Sequence, residues 1–294
     1  MGEPEETVGI MTLESPESLV SAPYRPGGRH RREKVWENSP KRLVPQVAVL
    51  TGRILRRWSR DPATLVQSLV MPAVFLVALD IVLGDVIEQV TGHSGLYGQV
   101  PLVALVGGMT GAIIGAVGIM REREAGLLSR FWVVPVHRAA GLLARLAADF
   151  VRIVVITLVV MVVGLALGFR FEQGILAAVV WVFMPALFGV ALSAAVLTLA
   201  LFSSSTIAPQ ATEIVIAILM FFSIGFVPLD QYPKWLQPFV EHQPVSTTIK
   251  AMKGLSLEGP IAQPVLLSVL WAAGIAAVCA VPLAIGFRKA SKRG

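Results

Sequence analysis

Runs of about twenty apolar residues recur along the chain, and each run is long enough to cross a bilayer as an α-helix. The 294 residues are 55% hydrophobic and only 15% charged, which is too little charge to cover the surface of a soluble domain. Nothing else in the sequence restricts the fold as strongly. The chain is therefore predicted to be an all-α polytopic membrane protein.

Six such runs predict a membrane domain over residues 62–287. The spans are expected at 63–84, 100–120, 146–168, 175–202, 207–227 and 261–287. Glycines recur through the second span, where small residues let neighbouring helices approach closely. These glycines are Gly107, Gly108, Gly111, Gly115 and Gly118. An even number of spans places both chain termini on the same side of the membrane.

The basic residues indicate which side that is. Of the 25 Lys and Arg residues, 20 lie in residues 1–61, in the loop 121–145 or in the basic tail 288–294. Because positive residues concentrate in cytoplasmic loops, we expect the protein in the plasma membrane with both termini in the cytoplasm. Basic residues beside membrane spans contact lipid headgroups, so the net charge of +6 predicts no nucleic-acid partner.

Two segments precede the first span. Residues 1–42 are polar, without hydrophobic periodicity, and are predicted to form a disordered cytoplasmic tail. Residues 43–61 are predicted to form an amphipathic helix in the membrane interface. Its apolar face carries Val47, Leu50, Ile54 and Trp58, with Arg53, Arg56, Arg57 and Arg60 mostly opposite. Asp61 and Pro62 are expected to cap and open the first span.

Catalytic and nucleotide-binding motifs are missing from the sequence. It contains no G-x-x-x-x-G-K-[ST], no H-E-x-x-H and no G-x-S-x-G, and its four histidines are scattered. The one cysteine, Cys279, lies inside an apolar run and forms no metal-binding pattern. We therefore expect no enzyme activity, no metal and no ATP site in this chain.

Ionisable residues inside the spans are candidates for a functional role, because charge is costly in a bilayer. Asp149 and Arg152 are three positions apart on one helix and are able to pair. Their place near the cytoplasmic end of the third span favours a structural pair over a transport site. Glu213 lies about two turns into the fifth span and is a candidate for gating or for contact with substrate.

The charged loop 121–145 separates the second and third spans. Pro135 divides it into two short amphipathic stretches. Two interpretations remain open on the residues alone. The loop is either an interfacial connector whose arginines reach toward water, or a docking element for a cytosolic partner.

The segment 228–260 is too polar and too rich in proline to span the membrane. It carries the aromatic residues Tyr232, Trp235 and Phe239. It is expected either as an ordered outer loop of short helices or as a re-entrant element with aromatics at headgroup depth.

Both unusual segments resemble those of a known family. R-E-R-E-x-G-L-L-x-R-x-x-V-x-P-V-x-R begins at Arg121, and Gly225-Phe-Val-Pro228 is followed by Tyr232-Pro-x-Trp235, Pro238 and Gln243-Pro244-Val-Ser. This pattern resembles the ABC-2 type permeases, in particular the daunorubicin-resistance permeases and the C-type permeases that export phthiocerol-type lipids. The resemblance covers residues 45–290.

The resemblance implies an ABC-2 (type V exporter-like) fold and two kinds of partner. One is a second ABC-2 permease, with a heterodimer favoured over a homodimer; the other is a cytosolic ATPase subunit that binds ATP and Mg. A coupling helix in the loop would touch the ATPase. Its residues would be Glu122, Arg123, Glu124, Gly126, Leu127 and Leu128, with Pro135 ending the element. The corresponding outer residues are Pro228, Tyr232, Pro233, Trp235, Pro238 and Pro244.

Two functions follow as hypotheses. The first is the permease subunit of an ATP-driven exporter for a hydrophobic or amphipathic substrate, either a surface lipid or an anthracycline-like drug. The alternative is a non-transporting membrane scaffold that docks a cytosolic partner through the loop 121–145.

Overall fold

The computed structural model describes residues 40–124, 139–202, 207–257 and 259–292, together with Gly2, and its regular elements in these ranges are helices. In chain order they are α1 (Pro40–Ser59), α2 (Pro62–Leu65), a π-helical turn (Val66–Val70), α3 (Met71–Thr91), α4 (Leu96–Glu124), α5 (Ala140–Leu167), α6 (Gly174–Phe202), α7 (Ile207–Phe221), a 3₁₀ turn (Leu229–Gln231), α8 (Gln237–His242), α9 (Pro244–Ser256) and α10 (Ala262–Lys292). The prediction of an all-α membrane protein is confirmed. Most of the predicted tail 1–42 lies outside the described residues.

Five helices in the described ranges are long and apolar enough to cross a membrane. They are Pro62–Val90, Leu96–Glu122, Ala140–Leu167, Gly174–Phe202 and Ala262–Gly286. They occupy the positions of the first, second, third, fourth and sixth predicted spans. Several extend beyond the predicted ends because Glu, Lys and Arg, which close an apolar run, still favour the helix. Thus α10 continues to Lys292, through most of the predicted basic tail.

The fifth predicted span is too long at its C-terminal end. We predicted 207–227, whereas α7 stops at Phe221 after 15 residues. At about 1.5 Å per residue such a helix is roughly 22 Å long, short of the hydrocarbon thickness of about 30 Å. Pro228 prevents the helix from continuing through that position, because it has no N–H and its ring would clash with the carbonyl four residues earlier. The earlier stop at Phe221 is permitted by side-chain hydrogen bonds to the last carbonyls. The chain leaves the helix before that clash arises.

The amphipathic helix α1 packs along the first turns of α5. The hydroxyl of Thr51 donates a hydrogen bond to the carbonyl of Ala144, at 3.2 Å. The four apolar residues of its predicted face, Val47, Leu50, Ile54 and Trp58, are partly buried, and Arg53, Arg56, Arg57 and Arg60 are exposed. The pattern of exposure therefore follows the predicted division of the helix into an apolar and a basic face.

Asp61 caps the N-terminus of the helix that forms the first span. Its carboxylate accepts hydrogen bonds from the Thr64 hydroxyl at 2.6 Å and the Thr64 backbone N–H at 3.4 Å. These bonds hold the pKa of Asp61 below its ordinary value. Pro62 occupies the first helical turn, where its missing N–H costs nothing.

Helices α4, α5 and α6 form the centre of the bundle, and glycine sets how closely they approach. A Cβ added at Gly108 would lie 2.9 Å from Cγ2 of Ile153, and one at Gly189 would lie 2.6 Å from Cδ1 of the same residue. A Cβ at Gly107 would lie 2.8 Å from Cγ2 of Ile156. One ridge of α5 therefore fits between glycines of α4 and α6.

The bundle has two ends, named the loop end and the far end. The loop end is where α4 finishes and α5 begins, on either side of residues 125–138. The far end is where α4 begins and α7 finishes. At the far end, Phe169 is fully buried between Tyr97 and Trp181, with ring centroids 5.2 and 5.9 Å away.

Candidate functional site

An ion pair joins the two helices at the loop end. The guanidinium of Arg145 donates to the carboxylate of Glu122, and both side chains are mostly buried. Glu122 lies in the last turn of α4, and Arg145 lies in the second turn of α5. The pair therefore ties together the two helix ends from which the loop emerges.

Most of the predicted coupling helix lies outside the described residues. Gly126, Leu127, Leu128 and Pro135 belong to residues 125–138, and the side chains of Arg123 and Glu124 are likewise not described. The role assigned to these residues remains a prediction. For Glu122 the structure adds a partner within the chain, so a mutation there also affects the ends of the loop.

A buried ion pair lies one turn deeper in the bundle. Nη1 of Arg152 is 3.2 Å from Oδ1 of Asp149, and the two side chains are only 4% and 3% exposed. The same nitrogen donates to the carbonyl of Gly111 on α4, at 3.2 Å. The guanidinium also lies 5.8 Å from the ring centroid of Trp58 on α1, within cation–π range. The predicted pairing on α5 thus connects three helices.

Two glycines of α4 lie beside these charges. A Cβ at Gly115 would lie 3.1 Å from Oδ2 of Asp149, inside ordinary contact distance. A Cβ at Gly111 would lie 3.8 Å from Cδ of Arg152, which is ordinary contact, so Gly111 contributes only its carbonyl. Neither glycine, nor Trp58, was identified from the sequence as a partner of the pair. These contacts join residues at least 34 positions apart, so no local pattern reveals them.

Glu213 lies on an exposed face of α7. Among the described residues, no hydrogen bond or ion pair to its carboxylate is found. Thr212 and Ile216 are the only buried side chains of this helix within 210–221. The carboxylate therefore lies on a face of α7 that the described residues leave exposed.

At the far end, side chains satisfy the last carbonyls of α7. The Tyr232 hydroxyl donates to the carbonyls of Phe221 at 2.8 Å and Ser223 at 3.2 Å. The Gln243 amide donates to the carbonyls of Leu219 at 3.3 Å and Phe222. A helix end leaves carbonyls without partners inside the helix, so these donors replace the missing bonds at Leu219, Phe221 and Phe222, whereas the Ser223 carbonyl also accepts backbone N–H groups. The sequence prediction included Tyr232 but not Gln243.

Helix α9 closes the far end. Nine of its 13 residues are buried, and it packs against α4, α6 and α10. Its last turn is held by the loop between α5 and α6, where the Gln173 amide donates to the carbonyls of Gly254 at 2.8 Å and Leu257 at 2.7 Å. The segment 228–260 is therefore ordered as short helices, of which α9 is buried whereas Trp235 is 79% exposed, and its depth in the membrane stays a prediction.

The prolines of this segment mark its turns and helix starts. Pro228 precedes the 3₁₀ turn, Pro238 lies in the first turn of α8, and Pro244 opens α9. Pro233 accepts hydrogen bonds from Leu236 and Gln237 at 2.8 and 3.2 Å. Across the described ranges, no group of three His, Cys, Asp or Glu residues is placed to hold a metal ion.

Comparison with known proteins identifies the family. Residues 45–256 match the ABC-2 type transporter family. The chain belongs to this family. Its ABC-2 domain contains both the loop end and the far end, and its match stops at the last residue of α9.

Individual ABC-2 relatives are permeases. The chain is 48% identical over 255 residues to the probable doxorubicin resistance ABC transporter permease protein DrrC of Mycobacterium tuberculosis, covering 87% of this chain and 92% of that protein. It is 26% identical over 219 residues to the daunorubicin resistance ABC transporter permease protein DrrB1 of Streptomyces coeruleorubidus, covering 74% and 77%. A third relative is the putative transport permease ycf38 of Cyanophora paradoxa, 24% identical over 218 residues.

Membership of the ABC-2 family confirms the resemblance drawn from the loop and the far segment. It makes this chain a membrane permease of an ABC transporter, which works with a separate ABC ATPase subunit. The polar groups described above accordingly belong to a transport domain. They hold helices and helix ends together.

Proposed function

We propose that this chain is the permease subunit of an ATP-driven exporter that moves a hydrophobic or amphipathic substrate out of the cytoplasmic membrane. The observation that carries the proposal is the family match over residues 45–256, which includes both the charged loop and the closed far end. Relatives named for doxorubicin and daunorubicin resistance support an anthracycline-like drug as one substrate class. A long-chain surface lipid, such as a phthiocerol-type lipid, is the other.

In this proposal the loop end faces the cytoplasm and receives the ATPase subunit, which binds ATP and Mg. Glu122 and Arg145 tie the ends of the loop together, so force on the loop reaches α4 and α5 at once. From there the Asp149–Arg152 pair leads to Gly111 on α4 and to Trp58 on α1. The pair would keep these helices moving as one body.

The second permease subunit, which we expect to be a different ABC-2 chain, would cover part of α7. The support is physical, because α7 exposes most of its surface within residues 210–221 and carries the acidic side chain of Glu213 there. A charge in a membrane helix requires water, a partner chain or a polar substrate group. Glu213 would therefore face the substrate path between the two permeases.

The test is purification of the tagged chain from its native membrane, followed by mass spectrometry and reconstitution into vesicles. Export predicts recovery of an ABC ATPase and a second six-span protein, with ATP-dependent movement of doxorubicin or a fluorescent long-chain lipid. Recovery of a single permease species would replace the heterodimer by a homodimer. ATPase recovery without movement of either probe would favour the scaffold that docks a cytosolic partner.

Substitutions at the loop separate direct contact from positioning. Glu122→Ala and Arg145→Ala each break the same ion pair, but only Glu122 is a proposed contact of the ATPase. If Glu122 touches the ATPase, Glu122→Ala lowers ATPase binding well below the level of Arg145→Ala. Equal losses in both variants would mean that Glu122 acts only by holding the loop ends.

A further inference from the structure

We infer that the far end of α7 is a fixed pivot of the transport cycle, and that Gln243 and Tyr232 are the positioning residues that hold it. This inference rests on the proposed function, because a pivot matters only if the helix moves during export. The family match by itself gives the end of α7 at Phe221 no role, whereas the pivot does. The body of α7 and the chain just beyond it differ in how firmly they are packed.

The body of α7 is loosely held. Between residues 210 and 221, only Thr212 and Ile216 are buried, and Ile214 is 63% exposed. Few buried contacts mean that little free energy opposes a change in tilt. Within this chain, α4 and α6 therefore oppose a change in tilt of α7 only weakly along residues 210–221.

Just beyond α7, residues 223 and 225 are buried. Ser223 is fully buried. A Cβ added at Gly225 would lie 2.8 Å from Cβ of Leu102 on α4 and 2.8 Å from Cδ1 of Ile249 on α9. It would also lie 3.0 Å from the carbonyl oxygen of Gly98. Residue 225 is thus clamped between two helices, where only glycine fits.

Hydrogen bonds fix the direction in which α7 enters this clamp. Gln243 and Tyr232 together donate to four successive or near-successive carbonyls, those of Leu219, Phe221, Phe222 and Ser223. Ser246 adds a fifth bond, accepting from the Ile224 N–H at 3.3 Å. All three side chains belong to the far-end segment that α9 anchors. A loose helix with a clamped and hydrogen-bonded end moves by swinging about that end.

Such a pivot converts motion at the loop end into a displacement of the α7 side chains. Without the hydrogen bonds of Gln243 or Tyr232, the end of α7 would slide. The same motion at the loop end would then displace the α7 side chains less. Gln243→Leu and Tyr232→Phe should therefore reduce export per ATP hydrolysed while ATP turnover stays near the wild-type rate. One net hydrogen bond corresponds to about fivefold in an equilibrium, so a fall of about that size is expected.

Gln231→Leu is the matched control. Gln231 lies in the same segment, is exposed, and its amide donates only to the neighbouring Asp230, at 3.0 Å. It should export at the wild-type ratio. A parallel loss of ATP turnover and export in Gln243→Leu and Tyr232→Phe would contradict positioning and indicate a general loss of structure. An unchanged ratio in both would likewise overturn the pivot.

A cross-link distinguishes a pivot from a gate. Ile224 and Ser246 adjoin through their hydrogen bond, so Ile224→Cys with Ser246→Cys, in a Cys279→Ser background, should form a disulfide in the assembled complex. A fixed pivot predicts that the oxidised complex keeps exporting the probe established for the wild type. Export that stops on oxidation and returns on reduction would show that this end must open.

The remaining outcomes are also decisive. Failure of both the disulfide and a short bis-maleimide to join the two cysteines in the assembled complex would mean that residues 224 and 246 do not adjoin there, which contradicts a fixed end of α7. A wild-type complex that moves no probe would refute the proposed function, and the pivot with it. Wild-type export with an inactive cross-linked form would refute the pivot alone.

Discussion

Asp149 and Arg152, near the loop end, are charged and lie on adjacent turns of one helix. Gln243 and Tyr232, at the far end, are neutral and donate to carbonyls that lie 9 to 24 residues earlier in the chain. The first pair connects α5 to α4 and α1, and the second pair holds the place where α7 ends.

The difference determines how much each side chain contributes. An ion left alone in a buried site costs several kcal/mol. A neutral hydrogen bond is worth about 1 kcal/mol net, so the far end distributes its stability over several weaker contacts. Four predictions test this contrast, from the largest expected effect to the smallest.

The largest effect is expected from Arg152→Met. It leaves the Asp149 carboxylate buried without its partner, which should destabilise the protein by about 3–5 kcal/mol. The measurement is the midpoint of thermal denaturation in detergent. The double variant Asp149→Leu with Arg152→Met removes both charges and should recover most of the loss. A double variant no more stable than Arg152→Met would show that the charges are not the cause.

A smaller loss is expected from Gly225→Ala at the far end. The added methyl group meets Cβ of Leu102, which cannot turn away, so overpacking should cost about 1–3 kcal/mol. Gly118→Ala is the matched control, because no atom lies within 4 Å of its added Cβ. Alanine favours the helix over glycine, so Gly118→Ala should be neutral or slightly stabilising. Equal denaturation midpoints for the two variants would contradict the clamp at residue 225.

The Glu122–Arg145 pair at the loop end comes next. It is only partly shielded from water, so each single alanine variant should cost about 1 kcal/mol of stability. The exchange Glu122→Arg with Arg145→Glu restores opposite charges and should recover stability in the denaturation assay. Recovery of stability without recovery of ATPase binding would assign Glu122 to the partner interface.

The smallest effect concerns an ion pair at the surface of the far end. The Lys250 ammonium donates to the Glu241 carboxylate at 2.7 Å, and this bond holds the pKa of Glu241 below its ordinary value of 4.5. The pair therefore stabilises the folded state above pH 4.5 and loses this contribution as the pH falls through the lowered pKa. Because both side chains are more than a third exposed, Glu241→Gln should change stability by less than about 0.5 kcal/mol.

A denaturation series on wild type and Glu241→Gln between pH 3 and 7 measures that contribution. The two curves should converge at the acid end and differ slightly above pH 4.5. A gap of more than about 1 kcal/mol would place this pair among the buried ones. It would also weaken the contrast between charged groups at the loop end and neutral groups at the far end.

Much of the architecture was predictable from local sequence. The lengths of the apolar runs predicted the membrane helices. The face of α1 that is covered was predicted by the spacing of Val47, Leu50, Ile54 and Trp58. The pairing of Asp149 with Arg152 followed from their separation of three residues on one helix. The family could also be predicted, since the two motifs that carry it are continuous stretches of sequence.

Other parts of the site were not predictable, because they depend on which segments meet. Glu122 was identified as a partner contact, but its ion pair with Arg145 joins helices across the loop. Gln243 belonged to the quoted motif, yet its role depends on carbonyls more than 20 residues earlier. For a related reason, the fifth span was predicted six residues too long at its C-terminal end. Apolar composition continues past Phe221, and the hydrogen bonds that permit the helix to stop there come from elsewhere in the chain.

The sequence by itself determined that the chain is helical, that it crosses a membrane several times, and which family it belongs to. A membrane helix satisfies its backbone hydrogen bonds internally, so its existence depends only on its own residues. The tertiary structure alone decided where α7 ends, how Arg152 connects α1 to α4, and why residue 225 must be glycine. The physical reason is that the groups at a helix end, or beside a buried charge, must find partners outside their own helix. Those partners are known only once the helices have packed.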